Sequence, residues 1–108
     1  LKRLHIIVSG RVQGVGFRWV CMKYASLYHL TGNVRNLEDG NVEIHIQGEE
    51  KDLLTFIHTM PNDNRRIRVD HLRITEEPLV NKETQFRNAV IFDFWKSLQP
   101  LHKPILLP

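Results

Sequence analysis

The chain has a single cysteine, Cys21, and no apolar run near the ~20 residues that a membrane-spanning helix requires. One cysteine cannot form an internal disulfide, so we expect a reducing compartment, the cytoplasm, and not a disulfide-rich secreted protein. Residues 1–10 also lack the separate apolar core and the cleavage site of a secretory signal. These absences predict a cytoplasmic protein that has no membrane partner.

Charge of one sign is only mildly in excess, with 15 Lys and Arg against 12 Asp and Glu. The net charge of +3 favours anionic partners, but it is too small to predict nucleic-acid binding. Cys21 lies on the apolar face of a predicted helix, which favours a packing thiol over a nucleophile. The spacing of the six histidines matches no metal-ligand pattern, so we expect no metal site. The histidines are His5, His29, His45, His58, His71 and His102.

The pattern of apolar residues predicts one compact domain in this chain of 108 residues. Strand, helix, strand, strand, helix and strand are predicted at residues 4–8, 17–30, 33–37, 42–47, 49–60 and 67–74. A polar loop over 76–88 and a final strand over 90–95 follow. This order predicts an α+β fold, a ferredoxin-like sandwich (βαββαβ plus an extra C-terminal strand). Two helices should cover one face of an antiparallel sheet, with the domain at residues 1–95 and a proline-containing tail at 96–108.

A glycine-rich loop, GRVQGVGFR at residues 10–18, joins the first predicted strand to the first helix. Glycines reach positive φ and carry no Cβ, so their N–H groups can converge on an anion. A helix N-terminus adds unpaired donors at the same point. The loop lacks both the Gly-Lys-Ser/Thr ending of a nucleotide P-loop and the G-x-G-x-x-G spacing of a dinucleotide site. The pattern predicts a site for a phosphoryl group.

Two polar residues, Arg18 and Asn36, are candidates for roles beside this loop. Arg18 in the first helical turn opposes the helix dipole, by about 0.3–1 kcal/mol, and its guanidinium can hold two phosphate oxygens. Asn36 ends the second strand, which should run parallel to the first and finish at the same sheet edge. Its carboxamide could orient a water. The alternative is a strand-end asparagine that bonds its own turn.

GRVQGVGFR, followed by GNVRNLEDGNVEIHIQGEE, resembles the acylphosphatase family over roughly residues 4–75. The resemblance implies hydrolysis of the carboxyl-phosphate bond of small acyl phosphates, with no metal and no organic cofactor. It implies that Arg18 and the loop amides bind the phosphate, or inorganic phosphate or sulfate in its place. Those amides belong to Gln13, Gly14, Val15, Gly16 and Phe17. It also implies that Asn36 positions the attacking water.

Three other functions remain open from the sequence. A non-catalytic anion-binding or regulatory domain is one, because Asn33 stands where the family usually has an aromatic residue and the match weakens after residue 75. A module of a hydrogenase-maturation carbamoyltransferase is another, although such modules usually carry proline where this chain has Trp19. A nucleic-acid-binding module comes last, because Val42, Ile44 and Ile46 offer no stacking surface. We expect a monomer.

Overall fold

Two helices and five strands follow one another in the order β-α-β-β-α-β-β within residues 1–89, which the computed structural model describes. The elements are β1 (Lys2–Arg11), α1 (Phe17–Leu27), β2 (Thr31–Asn36), β3 (Val42–Gly48), α2 (Glu50–Thr59), a 3-10 turn (Met60–Asn62), β4 (Arg68–Glu77) and β5 (Phe86–Asn88). This order confirms the α+β sandwich predicted from the sequence.

The sheet has the strand order β4-β1-β3-β2-β5. Both β1 and β2 pair antiparallel with β3, with Ile6 opposite Ile44 and Asn36 opposite Val42. Strands that are antiparallel to the same neighbour run parallel to each other, so β1 and β2 end at one edge of the sheet. The predicted parallel course of the first two strands, with their ends at the same sheet edge, is confirmed.

The end of the described chain differs from the prediction. The segment 76–88, predicted as a loop, contains the last residues of β4 and all of β5. β5 pairs in parallel with β2, so the sheet is mixed and not wholly antiparallel. The pairing depends on main-chain hydrogen bonds, such as that from Gly32 N to Gln85 O at 3.0 Å. Such bonds do not require alternating apolar residues, so no hydrophobic pattern in the sequence indicates this strand. The predicted strand 90–95, the domain boundary at residue 95 and the tail 96–108 lie outside the described residues.

One face of the sheet packs against both helices and forms the core. Ile6, Val34 and Ile44 project from this face and are fully buried, as are Phe17 of α1 and Phe56 of α2. Their alternation along each strand follows the two-residue repeat of the pleat.

Cys21 is also completely buried in this core. Burial raises the pKa of its thiol far above the ordinary range, and a backbone hydrogen bond lowers the pKa only in part. The group therefore stays protonated, as expected for a packing residue and not for a nucleophile. Among the described residues, no helix is long and apolar enough to cross a membrane.

The opposite side of the sheet, here called the open face, carries polar side chains and contacts the segment 78–85 between β4 and β5. Arg3 is 5% exposed and donates to Glu77 Oε2 at 2.9 Å and to Glu83 Oε1 at 2.8 Å. Gln47 Nε2 donates to Val80 O at 3.1 Å, and Val80 N donates to Gln47 Oε1 at 2.9 Å. These contacts fix the segment that leads into β5.

The Asp63 carboxylate connects α1 to the chain after the 3-10 turn. Its Oδ1 accepts hydrogen bonds from Lys23 Nζ at 2.7 Å and from Tyr24 Oη at 2.6 Å. Asn64 Nδ2 donates to Oδ2 at 3.1 Å. These bonds, that from Lys23 foremost, lower the pKa of Asp63 from 3.8 to about 2.

Asp63 should therefore stabilise the fold in a pH-dependent way. A carboxyl whose pKa is lower in the folded state stabilises the fold above its unfolded pKa, and this is lost as the pH falls through the folded value. We expect Asp63→Asn to lower the free energy of unfolding by about 1 kcal/mol near neutral pH. The difference from wild type should close between about pH 4 and pH 2.

Urea unfolding followed across this pH range tests the prediction. Asp70→Asn is the control, because within residues 1–89 this carboxylate pairs only with the exposed Arg68 on the same strand. The same pH dependence in both variants would contradict the assignment.

Candidate active site

The loop between β1 and α1 alternates buried side chains with exposed backbone. Val12 and Val15 are buried, whereas Gly14 and Gly16 are exposed. Gly14 has φ 73° and Gly16 has φ 79°, in the left-handed region that L side chains rarely adopt. A Cβ at either position would meet nothing within 4 Å, so glycine is required there by conformation and not by space.

The main-chain donors of this loop have no acceptor within residues 1–89. Across that part of the chain, no main-chain N–H from Gln13 to Arg18 donates a hydrogen bond. Gly16 caps α1 without a side-chain bond, and the first turn of α1 contains no acidic residue. Donors in this arrangement, at the positive end of a helix, suit an anion.

Arg18 is half-buried in the first turn of α1, beside these donors. Its Nη1 lies 3.5 Å from Oδ1 of Asn88, at the end of β5. Because β5 runs parallel to β2, its carboxyl end reaches the same sheet edge. Sequence reasoning missed Asn88, since its position depends on a strand that no hydrophobic pattern marks.

Asn36 lies at the end of β2, and its Oδ1 is buried. This oxygen accepts no hydrogen bond from any residue in the described part of the chain. Leaving a buried carbonyl without a donor costs about 1–3 kcal/mol, so folding stability does not explain its placement. The alternative interpretation of Asn36 required a hydrogen bond to the turn that follows β2, and Oδ1 makes no such bond to the described residues.

Gln13 ties the loop to the turn after Asn36. Its Nε2 donates to Leu37 O and to Asn41 O, each at 2.8 Å. The structure thereby brings the two sequence motifs together. The Gln13 side chain is used for this contact, which leaves its main-chain N–H for a ligand.

A second polar cluster lies on the open face. His5 of β1 is directly opposite His45 of β3, and Glu43 is 2.8 Å from His5. Burial by itself raises the pKa of Glu43, but hydrogen bonds from His5 and Arg35 and the charge of Arg35 outweigh it and lower that pKa. The expectation of no metal site rested on spacing along the sequence, which cannot show a contact made across two strands.

Comparison with known proteins identifies the family to which this sandwich belongs. The family model described as Acylphosphatase matches residues 4–88, which extends past the two motifs and includes β5. An acylphosphatase of Clostridium acetobutylicum is 40% identical over 87 residues, 81% of this chain and 96% of the relative. The chain therefore belongs to the acylphosphatase family, a family of hydrolases.

Solved structures agree with this assignment. The crystal structure of acylphosphatase from Bacillus subtilis matches with a TM-score of 0.77 at 35% identity, covering 82% of this chain and 98% of that one. The structure of T.kodakarensis HypF matches with a TM-score of 0.73 at 34% identity. The match covers 82% of this chain but only 12% of that protein, so the two share one domain.

The two bonds of Gln13 should matter to stability. Gln13→Ala leaves two carbonyl oxygens without this donor, and we expect it to lower the free energy of unfolding by about 1–2 kcal/mol. Gln13→Glu should cost at least as much at neutral pH, because a carboxylate cannot donate and would face two carbonyl oxygens. Urea unfolding measures both effects.

The matched control for Gln13 is Gln85→Ala. Gln85 has an exposed side chain that makes no hydrogen bond to the described residues. A loss in Gln13→Ala no larger than in Gln85→Ala would show that the link does not hold the loop.

Proposed function

We propose that this chain hydrolyses the carboxyl-phosphate bond of small acyl phosphates to a carboxylate and inorganic phosphate. The observation that carries the proposal is the run of main-chain N–H groups from Gln13 to Arg18 that donate to no residue in 1–89. Such donors at a helix N-terminus match the oxygens of a phosphoryl group. Membership of the acylphosphatase family supports the choice of substrate.

The loop and Arg18 bind and stabilise the phosphoryl group. Phosphoryl transfer spreads charge over three equatorial oxygens, so the protein acts mainly by positioning and by charge stabilisation. The N–H groups of Gly14, Val15, Gly16 and Phe17 surround these oxygens, and the Arg18 guanidinium holds two of them. The left-handed glycines fix the donors in advance, so they need not reorganise during the reaction.

Asn36 positions the nucleophilic water. Its carboxamide, which has both donor and acceptor groups, hydrogen-bonds the water and holds the water oxygen in line with the bond to be broken. A new bond forms between the water oxygen and phosphorus as the bond from phosphorus to the acyl oxygen breaks. The water's proton passes to a phosphate oxygen, and the leaving oxygen departs as a carboxylate.

The leaving group explains the modest chemistry of the site. A carboxylate is stable without protonation, so no strong general acid is needed. The loop, Arg18 and Asn36 supply the stabilisation that this reaction requires, and we propose that it proceeds without a metal or an organic cofactor.

We further propose that the protein acts as a monomer in the cytoplasm. The buried Cys21, the only cysteine of the chain, is consistent with a reducing compartment. Inorganic phosphate or sulfate should occupy the same loop as the substrate, and we propose no nucleic-acid partner.

Loss of the Arg18 guanidinium should abolish most of the activity. We expect Arg18→Ala to lower kcat/KM for benzoyl phosphate by at least about 10²-fold, the effect of removing one preorganised donor. Arg18→Lys should fall between this variant and wild type, because lysine keeps the charge but not the planar fork. The assay is run with chelator present and with a phosphate monoester as the second substrate.

Arg65→Ala is the control for Arg18, since Arg65 is exposed and has no ion pair within residues 1–89. Equal activity of the two alanine variants would refute the role of Arg18. Wild-type protein that binds phosphate but hydrolyses neither substrate would instead identify the non-catalytic alternative.

The Asn36→Ala variant distinguishes positioning of the water from binding of the phosphate. We expect kcat to fall by about 10²–10³-fold, whereas the affinity for inorganic phosphate stays within a few-fold of wild type. The free energy of unfolding should not fall, because the variant removes a buried oxygen that has no donor. Steady-state kinetics, phosphate titration and urea unfolding measure the three quantities. Near-wild-type turnover would show that Asn36 does not hold the water.

A further inference from the structure

The cluster of His5, Glu43 and His45 on the open face has no part in the proposed hydrolysis. The His5 and His45 rings stack with their centroids 4.6 Å apart and their planes 19° from parallel. Glu43 precedes His45 by two residues on the same strand, so the two side chains project to the same face. About 16 Å of β1 separates His5 from Gly10, the start of the glycine loop, at ~3.3 Å per residue.

The donor atoms of these side chains are close enough to share one ion. His5 Nε2 lies 2.8 Å from Glu43 Oε2, and His45 Nε2 lies 3.6 Å from Glu43 Oε1. One donor atom from each residue lies within 4.8 Å of the others. A tetrahedral ion with bonds of about 2.1 Å keeps its donor atoms about 3.4 Å apart, so only small adjustments are needed.

Neighbouring residues orient this donor set. His45 Nδ1 lies 2.7 Å from Glu77 Oε2; when Nδ1 donates its proton there, Nε2 presents a lone pair beside Glu43. Arg35 Nε donates to Glu43 Oε1 at 2.7 Å, which leaves Oε2 directed toward His5. The charge of Arg35 opposes a cation, whereas the Glu43 carboxylate favours one. A carboxylate behind a ligating histidine is the usual arrangement in zinc sites.

We propose that His5, Glu43 and His45 bind a divalent transition-metal ion, with Zn²⁺ the best match. Two imidazole nitrogens and one carboxylate oxygen suit zinc, and water completes the tetrahedron. Each of the three side chains is partly exposed, and Glu43 and His45 line a groove of about 640 Å³ that admits solvent. The ion links β1 to β3 and stabilises the fold, and hydrolysis at the far edge of the sheet does not require it.

Isothermal titration of untagged, metal-free protein with Zn²⁺ tests the proposal. We expect one ion to bind, and zinc to raise the melting temperature, because the folded state alone brings the three ligands together. His5→Gln and His45→Gln should each abolish the saturable binding. Glu77→Gln should lower the affinity by about 10–100-fold, as expected for loss of a residue that orients a ligand.

His71→Gln and His102→Gln are matched controls, in the exposed part of β4 and in the segment beyond residue 89 respectively, and should bind zinc as wild type does. Far-UV circular dichroism checks that each variant is folded; if a histidine variant unfolds, Glu77→Gln decides. A zinc anomalous-scattering peak between His5 and His45 would support the site directly. The proposal is overturned by the absence of saturable binding, by binding that His5→Gln and His45→Gln leave unchanged, or by binding that a control removes.

Discussion

The antiparallel pairing of β1 and β2 with the same central strand, β3, is the constraint on which the site depends. It makes the two outer strands parallel and brings their carboxyl ends to one edge of the sheet. The glycine loop leaves β1 at that edge, and Asn36 ends β2 there. β5 runs parallel to β2 and places Asn88 beside Arg18. One choice of strand order thus assembles residues that are far apart in sequence.

The loop is fixed by its side chains so that its backbone can serve a ligand. Val12 and Val15 anchor it in the core, and Gln13 bonds to the β2–β3 turn. The exposed glycines between these anchors carry main-chain donors that have no acceptor among residues 1–89. A site of this kind depends little on ionisable side chains, which agrees with a reaction whose leaving group needs no proton. In the part of the chain that the structure describes, the titratable clusters lie elsewhere, on the open face and at Asp63.

Hydrophobic spacing was enough to predict both helices, the first four strands and the sandwich. Glycine and arginine placement predicted the loop, and strand order predicted the position of Asn36. β5 could not be predicted, because Phe86–Asn88 has no alternation and is held by main-chain bonds. Asn88, the side-chain bonds of Gln13 and the opposition of His5 to His45 depend on register and tertiary contact, which local sequence does not encode. The catalytic roles of Arg18 and Asn36 stay predictions.

The buried guanidinium of Arg3 has a consequence at the other end of the molecule. It donates to two carboxylates, that of Glu77 at the end of β4 and that of Glu83 in the segment that precedes β5. The position of β5 therefore depends on Arg3, and so does the position of Asn88, which lies beside Arg18. Removing the Arg3 guanidinium should therefore disturb Asn88 beside Arg18 through the segment that precedes β5, and not by direct contact.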